Sequence, residues 1–224
     1  MSDTDSFIEE VTEEVRRDRL FAWMKRYGWI VICAVLVIVG GAAFNEYRKA
    51  QITAQTQAFG DAILSALDND DPEARAAALA TVSASGAGAQ SLLGLLQSKE
   101  QIEAGNLEAA KQVLQSVSDD SEAPIIYRQV ASFKLLSLQA DDLDLSDRQA
   151  GYEALMGGNP NLQILAEEQL ALILIEQGNT QEAIAALTRI VQNEQATAGL
   201  RRRATQLIVA LGGTVPDLAD VQSE

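Results

Sequence analysis

The chain has 224 residues, 47% of them hydrophobic, with a formal charge of −15, one cysteine and no histidine. That length leaves room for one membrane-crossing helix and one helical domain with a sizeable core. Without histidine, with Cys33 as its lone thiol and without a glycine-rich phosphate loop, it lacks the residues for the usual nucleophile and base pairs, zinc sites or nucleotide cradles. A non-enzymatic protein without cofactor, metal or small-molecule substrate is expected.

From Ala50 onward 24 acids face 10 bases, a net charge near −14 spread over the helices. Such a surface repels nucleic acid phosphates and anionic lipid headgroups, so neither is an expected partner. The carboxylate pairs Asp119 with Asp120 and Asp141 with Asp142 lack a glycine-centred twelve-residue calcium loop and read as solvated helix-end acids. A hydrolase built on carboxylates is the least favoured alternative, because it needs acids converging in one pocket.

The first predicted element is an amphipathic cytoplasmic segment over 1–26. Ser6 and Glu9 form a capping box, Phe7, Ile8, Val11 and Val15 share one face, and the helix is expected to end around Lys25 to Gly28. Next comes YGWIVICAVLVIVGGAAFN, residues 27–45, without a charge. At 1.5 Å rise it reaches about 28 Å, close to the roughly 30 Å of a hydrocarbon core, and Tyr27, Trp29 and Tyr47 sit at its edges, so it predicts a transmembrane helix. A cleaved export signal fits less well, because the preceding segment is rich in acids, and a buried core helix lacks the usual polar face. Arg16, Arg17, Arg19, Lys25 and Arg26 precede the span while only Arg48 and Lys49 closely follow it, which predicts a single-pass protein with a cytoplasmic N-terminus and, taking the cell to be a Gram-negative bacterium, an inner-membrane location with a periplasmic C-terminal domain. Gly40, Gly41, Ala42 and Ala43 are candidates for close packing against another membrane helix, beside the plainer reading of small residues tolerated near a helix end.

Residues 46–213 predict an all-α repeat domain, followed by an acidic tail over 214–224. Asp71 with Pro72, Gly105 with Asn106, Pro124, Asp141 with Asp142, Ser146, Gly157 with Gly158, Pro160, Gly178 with Asn179, and Gly212 with Gly213 punctuate it as caps and breaks. The turns within pairs fall near Asp70, Gly105, Asp141 and Gly178, about 35 residues apart, which is the tetratricopeptide period. Helix pairs are expected at 47–67 with 72–85, 89–104 with 107–117, 124–140 with 146–156 and 160–177 with 180–192, closed by a helix over 197–211.

In GNLEAAKQVL and GNTQEAIAAL, Gly105 and Gly178 supply a left-handed turn and Asn106 and Asn179 a cap. Ala110 and Ala183 permit close helix approach, and Leu114 and Leu187 fill the space between pairs. Arg201, Arg202 and Arg203 form the basic cluster of the domain, read as the solvated face of a capping helix, with an acidic partner contact as the sharper alternative.

FIEEVTEEVRRDRLFAWMKRYGW, residues 7–29, followed by the apolar run and the GN-x-x-x-A units, resembles the bacterial YfgM-like family. The resemblance implies an ancillary subunit of the Sec translocon whose periplasmic repeat domain passes exported client chains to the periplasmic chaperone network, beside translocon subunits or a membrane-anchored prolyl isomerase. The function expected from all of this is a membrane-anchored protein-binding scaffold at the export channel. The alternative is a scaffold for an envelope or cell-division complex unrelated to the translocon.

Overall fold

The computed structural model describes residues 3–215, with side chains described for 23–27, 29, 30 and 32–215. All the regular structure among them is helical: α1 (Asp3–Leu67), α2 (Pro72–Ala80), α3 (Ala87–Glu103), α4 (Leu107–Asp119), α5 (Ile125–Leu138), α6 (Leu145–Leu155), α7 (Pro160–Glu176), α8 (Thr180–Gln192) and α9 (Ala198–Ala210). The chain divides into two compact units, Met1–Gly60 and Asp61–Glu224.

The first unit is the greater part of α1, one helix of 65 residues in all. The expected break near Lys25 to Gly28 is absent, and the backbone is already helical before Ser6, so the capping box does not open the helix. The side chains of Ser6 and Glu9 lie outside the described residues.

The transmembrane helix expected over 27–45 is corrected here. Among the described residues no helix is long and apolar enough to cross a membrane. The single-pass topology, the inner-membrane localisation with a periplasmic domain, and membrane anchoring as part of the function all rested on that helix and are withdrawn with it. What the structure shows is an exposed apolar band that includes Ile32, Val35, Leu36, Val37, Ile38 and Phe44.

In the second unit each helix packs on the next, from α2 through α9. In addition α3 packs on α5 and α5 on α7, so alternate helices form a layer of their own. The core is a series of four clusters: Ala66, Leu79 and Leu93 join the end of α1 to α2 and α3; Leu114, Val117, Ala131 and Leu135 join α4 to α5; Tyr152, Leu155, Leu162 and Ile173 join α6 to α7; Leu187, Ile190, Leu200 and Ile208 join α8 to α9, and Leu165 packs against both of the last two. A lone hairpin leaves one of its two apolar faces in water, and burying each against the following hairpin stabilises the array by about 25 cal/mol per Å² of apolar surface covered.

Gly105 and Gly178 both have φ of +79°. At each, the following asparagine closes the preceding helix with its backbone: Asn106 N–H donates to the Gln101 carbonyl at 2.8 Å and Asn179 N–H to that of Leu174 at 2.9 Å. This is the hydrogen bond that ends a helix through a left-handed glycine. The capping role expected of the two asparagine side chains is not observed, since neither makes a cap hydrogen bond in this geometry. Asp71 and Asn159 do cap with their side chains, ahead of Pro72 and Pro160. Ser146 lies inside α6, whose N-cap is Asp144.

The two glycines mark a register of 73 residues, two hairpins long. At that offset Ala110 corresponds to Ala183, Leu114 to Leu187, Val117 to Ile190, Ala123 to Ala196, Ala131 to Ala204 and Leu135 to Ile208, all buried. The ion pairs obey it too: Arg75 meets Glu103 and Arg148 meets Glu176, both 28 residues ahead.

Replacing Gly178 by Ala puts a Cβ into a left-handed backbone and is expected to lower stability by about 1–2 kcal/mol. Gly199→Ala, where a Cβ meets open space inside α9, is expected to raise it by up to about 1 kcal/mol. Urea denaturation of the two variants should move the midpoint in opposite directions.

Candidate docking grooves

Among the described residues of the second unit, two grooves trace to particular side chains. The first, about 400 Å³, lies between α3 and α4 and is lined by Val82, Gln90, Gly94, Gln97, Val113 and Ser116 among others. Ala84, Gly94 and Ser116 add little bulk to its lining. A Cβ on Gly94 would come within 2.6 Å of Val117 Cγ2, so α3 and α4 approach closely there. One register further on, the positions of Gly94 and Ser116 are held by Glu167 and Arg189, whose charged ends lie 3.8 Å apart. The equivalent space between α7 and α8 is therefore spanned by an ion pair.

The second groove, about 580 Å³, lies between α7 and α9. Leu172, Leu207 and Ala210 give it an apolar floor, and Gln169 and Gln206 flank it with amides. On α9 the lining residues Arg203, Gln206, Leu207 and Ala210 recur at helical spacing, while Leu200, Ala204 and Ile208 turn the other way into the core. Arg203 ties the two walls together: its Nε–H donates to Glu168 Oε1 and its Nη2 to Oε2, both at 2.7 Å. The Glu168 side chain is 8% exposed and that of Arg203 53%. Donating to the Glu168 carboxylate raises the Arg203 pKa further above its ordinary value.

A third polar cluster holds the start of the array. Arg75 Nε–H donates to the buried Glu100, its Nη1 to the carbonyls of Asn69 and Asp70, and its Nη2 to Glu103. Lys99 donates to both glutamates. Four of the five guanidinium N–H groups are thus used, which fixes the turn between α1 and α2 against α3. The hydrogen bond from Lys99, with that from Arg75, holds the Glu103 carboxyl below its ordinary pKa.

Of the residues singled out in the sequence, Ala110, Leu114, Ala183 and Leu187 are fully buried, and Gly105, Asn106, Gly178 and Asn179 form the turns of α3–α4 and α7–α8. They shape the scaffold and line neither groove. Gly40, Gly41, Ala42 and Ala43 are exposed on α1, and the first two face open space. Asp142 accepts from Lys111, and Asp120 from the backbone of Glu122, so neither acidic pair converges on a pocket.

The arginine cluster divides three ways: Arg201 Nη1 donates to the Asn193 carbonyl at 3.4 Å, Arg203 pairs with Glu168, and Arg202 stands exposed. The α7–α9 groove was not anticipated, although Glu168 and Arg203 lie 35 residues apart, one repeat, and opposite charges at that spacing are a readable signal. Among the described residues no group of three or more histidine, cysteine, aspartate or glutamate side chains is placed to hold a metal ion.

Stacked helical hairpins with glycine-closed turns and shallow grooves define a helical repeat scaffold, a class that works by binding and not by catalysis. More particularly, the tetratricopeptide repeat-like domain family matches residues 22–150, more than half of the chain, and the chain belongs to that family. The match runs from α1 into α6, and the 73-residue register carries the same design on through α9. No curated protein and no solved structure matches the chain.

Two outcomes test these clusters. Because Glu103 binds its proton less readily in the folded chain than in the unfolded one, the fold should lose stability as pH falls from the ordinary glutamate range through the lower pKa of Glu103. Glu103→Gln should flatten that acid limb when urea midpoints are followed from about pH 7 to about pH 3. Arg203→Ala leaves a buried carboxylate without its partner and should cost about 1–2 kcal/mol after allowance for the exposed side of the arginine, whereas Arg202→Ala should stay within about 0.5 kcal/mol of the parent.

Proposed function

We propose that this chain is a protein-binding scaffold whose alternate helices α3, α5, α7 and α9 present the docking face. The observation that carries the reading is the layer itself. α3 packs on α5 and α5 on α7, and the larger, more apolar groove opens where that layer reaches α9. Tetratricopeptide-like repeats are suited to protein partners because stacking fixes a broad surface at little entropic cost to the scaffold.

At a finer level, the likeness of residues 7–29 to YfgM-like proteins supports kinship with that group inside the wider family. The membrane anchoring and translocon role that accompany the likeness are not carried over, because no described helix is long and apolar enough to cross a bilayer. The assignments to the Sec translocon, the periplasmic chaperone network and an envelope or cell-division complex fall for the same reason, since each was built on the anchored topology. What supports a partner is the repeat surface alone, and the partner it supports is a protein.

Photocrosslinking amino acids placed at Leu172 and Gln206 in cells that naturally make the protein should give discrete adducts with a partner chain. Gln112 on α4 and Ala185 on α8, both exposed and away from the layer, should give fewer. Equal labelling at all four positions would count against a docking face on α3, α5, α7 and α9.

A further inference from the structure

We propose that the α7–α9 groove takes an acidic, leucine-bearing segment of a partner protein, its apolar side chains entering over Leu172, Leu207 and Ala210 and its carboxylates facing Arg202 and Arg203. This rests on the scaffold reading above and adds the chemistry of what is bound. A volume of about 580 Å³ lies within the range of pockets that take several apolar groups. Its floor is apolar and its amide flanks suit the backbone polar groups of a bound chain.

The electrostatics select the sign. From Ala50 onward the chain carries a net charge near −14, which repels an acidic segment from most of its surface. At the groove the balance reverses. The only carboxylate in its lining, Glu168, is buried and already accepts two hydrogen bonds from Arg203. Two of the five N–H donors of Arg203 are consumed in this way, and the rest lie on a side chain more than half exposed. Arg202, one residue earlier and exposed, forms no ion pair among the described residues. Arg203 and Glu168 cancel, so the surplus charge beside the groove is that of Arg202, and with a Debye length of about 8 Å at physiological salt it acts on a ligand seated there more strongly than acids beyond that distance. The result is a local site for carboxylates on a surface that otherwise rejects them, so the surrounding charge sharpens the choice of site instead of blocking it.

The test uses the full-length chain and a fluorescein-labelled amphipathic peptide with leucines at helical spacing and glutamates elsewhere, beside a counterpart with lysine at every glutamate. The acidic peptide should bind, and its affinity should fall as salt is raised. Arg202→Glu should weaken it about tenfold and strengthen binding of the lysine peptide, while Ala210→Trp, which fills the groove from an exposed position, should abolish binding of both. No binding of the acidic peptide, tighter binding of the lysine peptide by the parent, or indifference to Arg202→Glu would overturn the proposal.

Two other occupants have their own signatures. Binding that appears only in a chain ending at Val215 would assign the groove to the chain's own Leu218 and Val221 with Asp217 and Asp220, and a dimer in sedimentation that Arg202→Glu dissociates would assign it to a second copy. Either result overturns a partner segment as the occupant. Crosslinks at Leu172 and Gln206 that persist unchanged in Arg202→Glu would remove the acidic chemistry and leave the scaffold reading standing.

Discussion

Everything in the second unit follows from one constraint: a two-helix hairpin with apolar residues on both sides has one more face to bury than it can cover itself. The remedy is a neighbour, and the successive core clusters are that remedy repeated. Close packing then dictates the small residues. Ala110, Ala131, Ala183 and Ala204 are completely buried where adjacent helices meet, and Gly94 leaves room for Val117 where a methyl group would collide. The polar residues follow the same logic, since the ion pairs Arg75 to Glu103, Arg148 to Glu176 and Arg203 to Glu168 join different helices. Each pair fixes how two helices meet while apolar contact supplies the driving force.

The repetition is imperfect in a useful way. Where the 73-residue register is kept, the residues are turn glycines, interface alanines and the two pairs Arg75 with Glu103 and Arg148 with Glu176. Where it is broken, surface properties change. Gly94 and Ser116 leave a groove between α3 and α4, and their counterparts Glu167 and Arg189 place charge across it. Val130 and Lys134, near Phe133 on α5, become Arg203 and Leu207 on α9. A duplicated frame with diverged linings lets two halves of one domain offer different chemistry without disturbing the packing between them.

Much of this frame was legible in the sequence because turns and close contacts restrict residue type severely. The GN turns, the proline-marked starts of α2 and α7, and Ala110, Leu114, Ala183 and Leu187 could be placed by their spacing, and the expected pairs match the observed helices to within a few residues at most boundaries. Local polar details were harder to read. Asn106 and Asn179 act through their backbone, Ser146 and Ser6 lie within helices, and several residues can satisfy the same orphan N–H. The uncharged run after Arg26 reads as a bilayer span by its hydropathy, length and edge aromatics, whereas among the described residues no helix is long and apolar enough to cross a membrane. The α7–α9 groove depended on how far apart two helices stand, a distance set by packing elsewhere in the layer.

The alternation of clasps has a consequence for how the array responds to salt. Arg75 and Arg148 each hold a glutamate near the end of the following helix, but Lys111, on the helix of the intervening hairpin, reaches instead to Asp142 in the α5–α6 loop. One register on, the positions of Lys111 and Asp142 are held by Ile184 and Val215, and both pack against the core shared by α8 and α9. The same joint is thus closed by charge in one half of the array and by apolar contact in the other, so added salt screens the first and leaves the second in place.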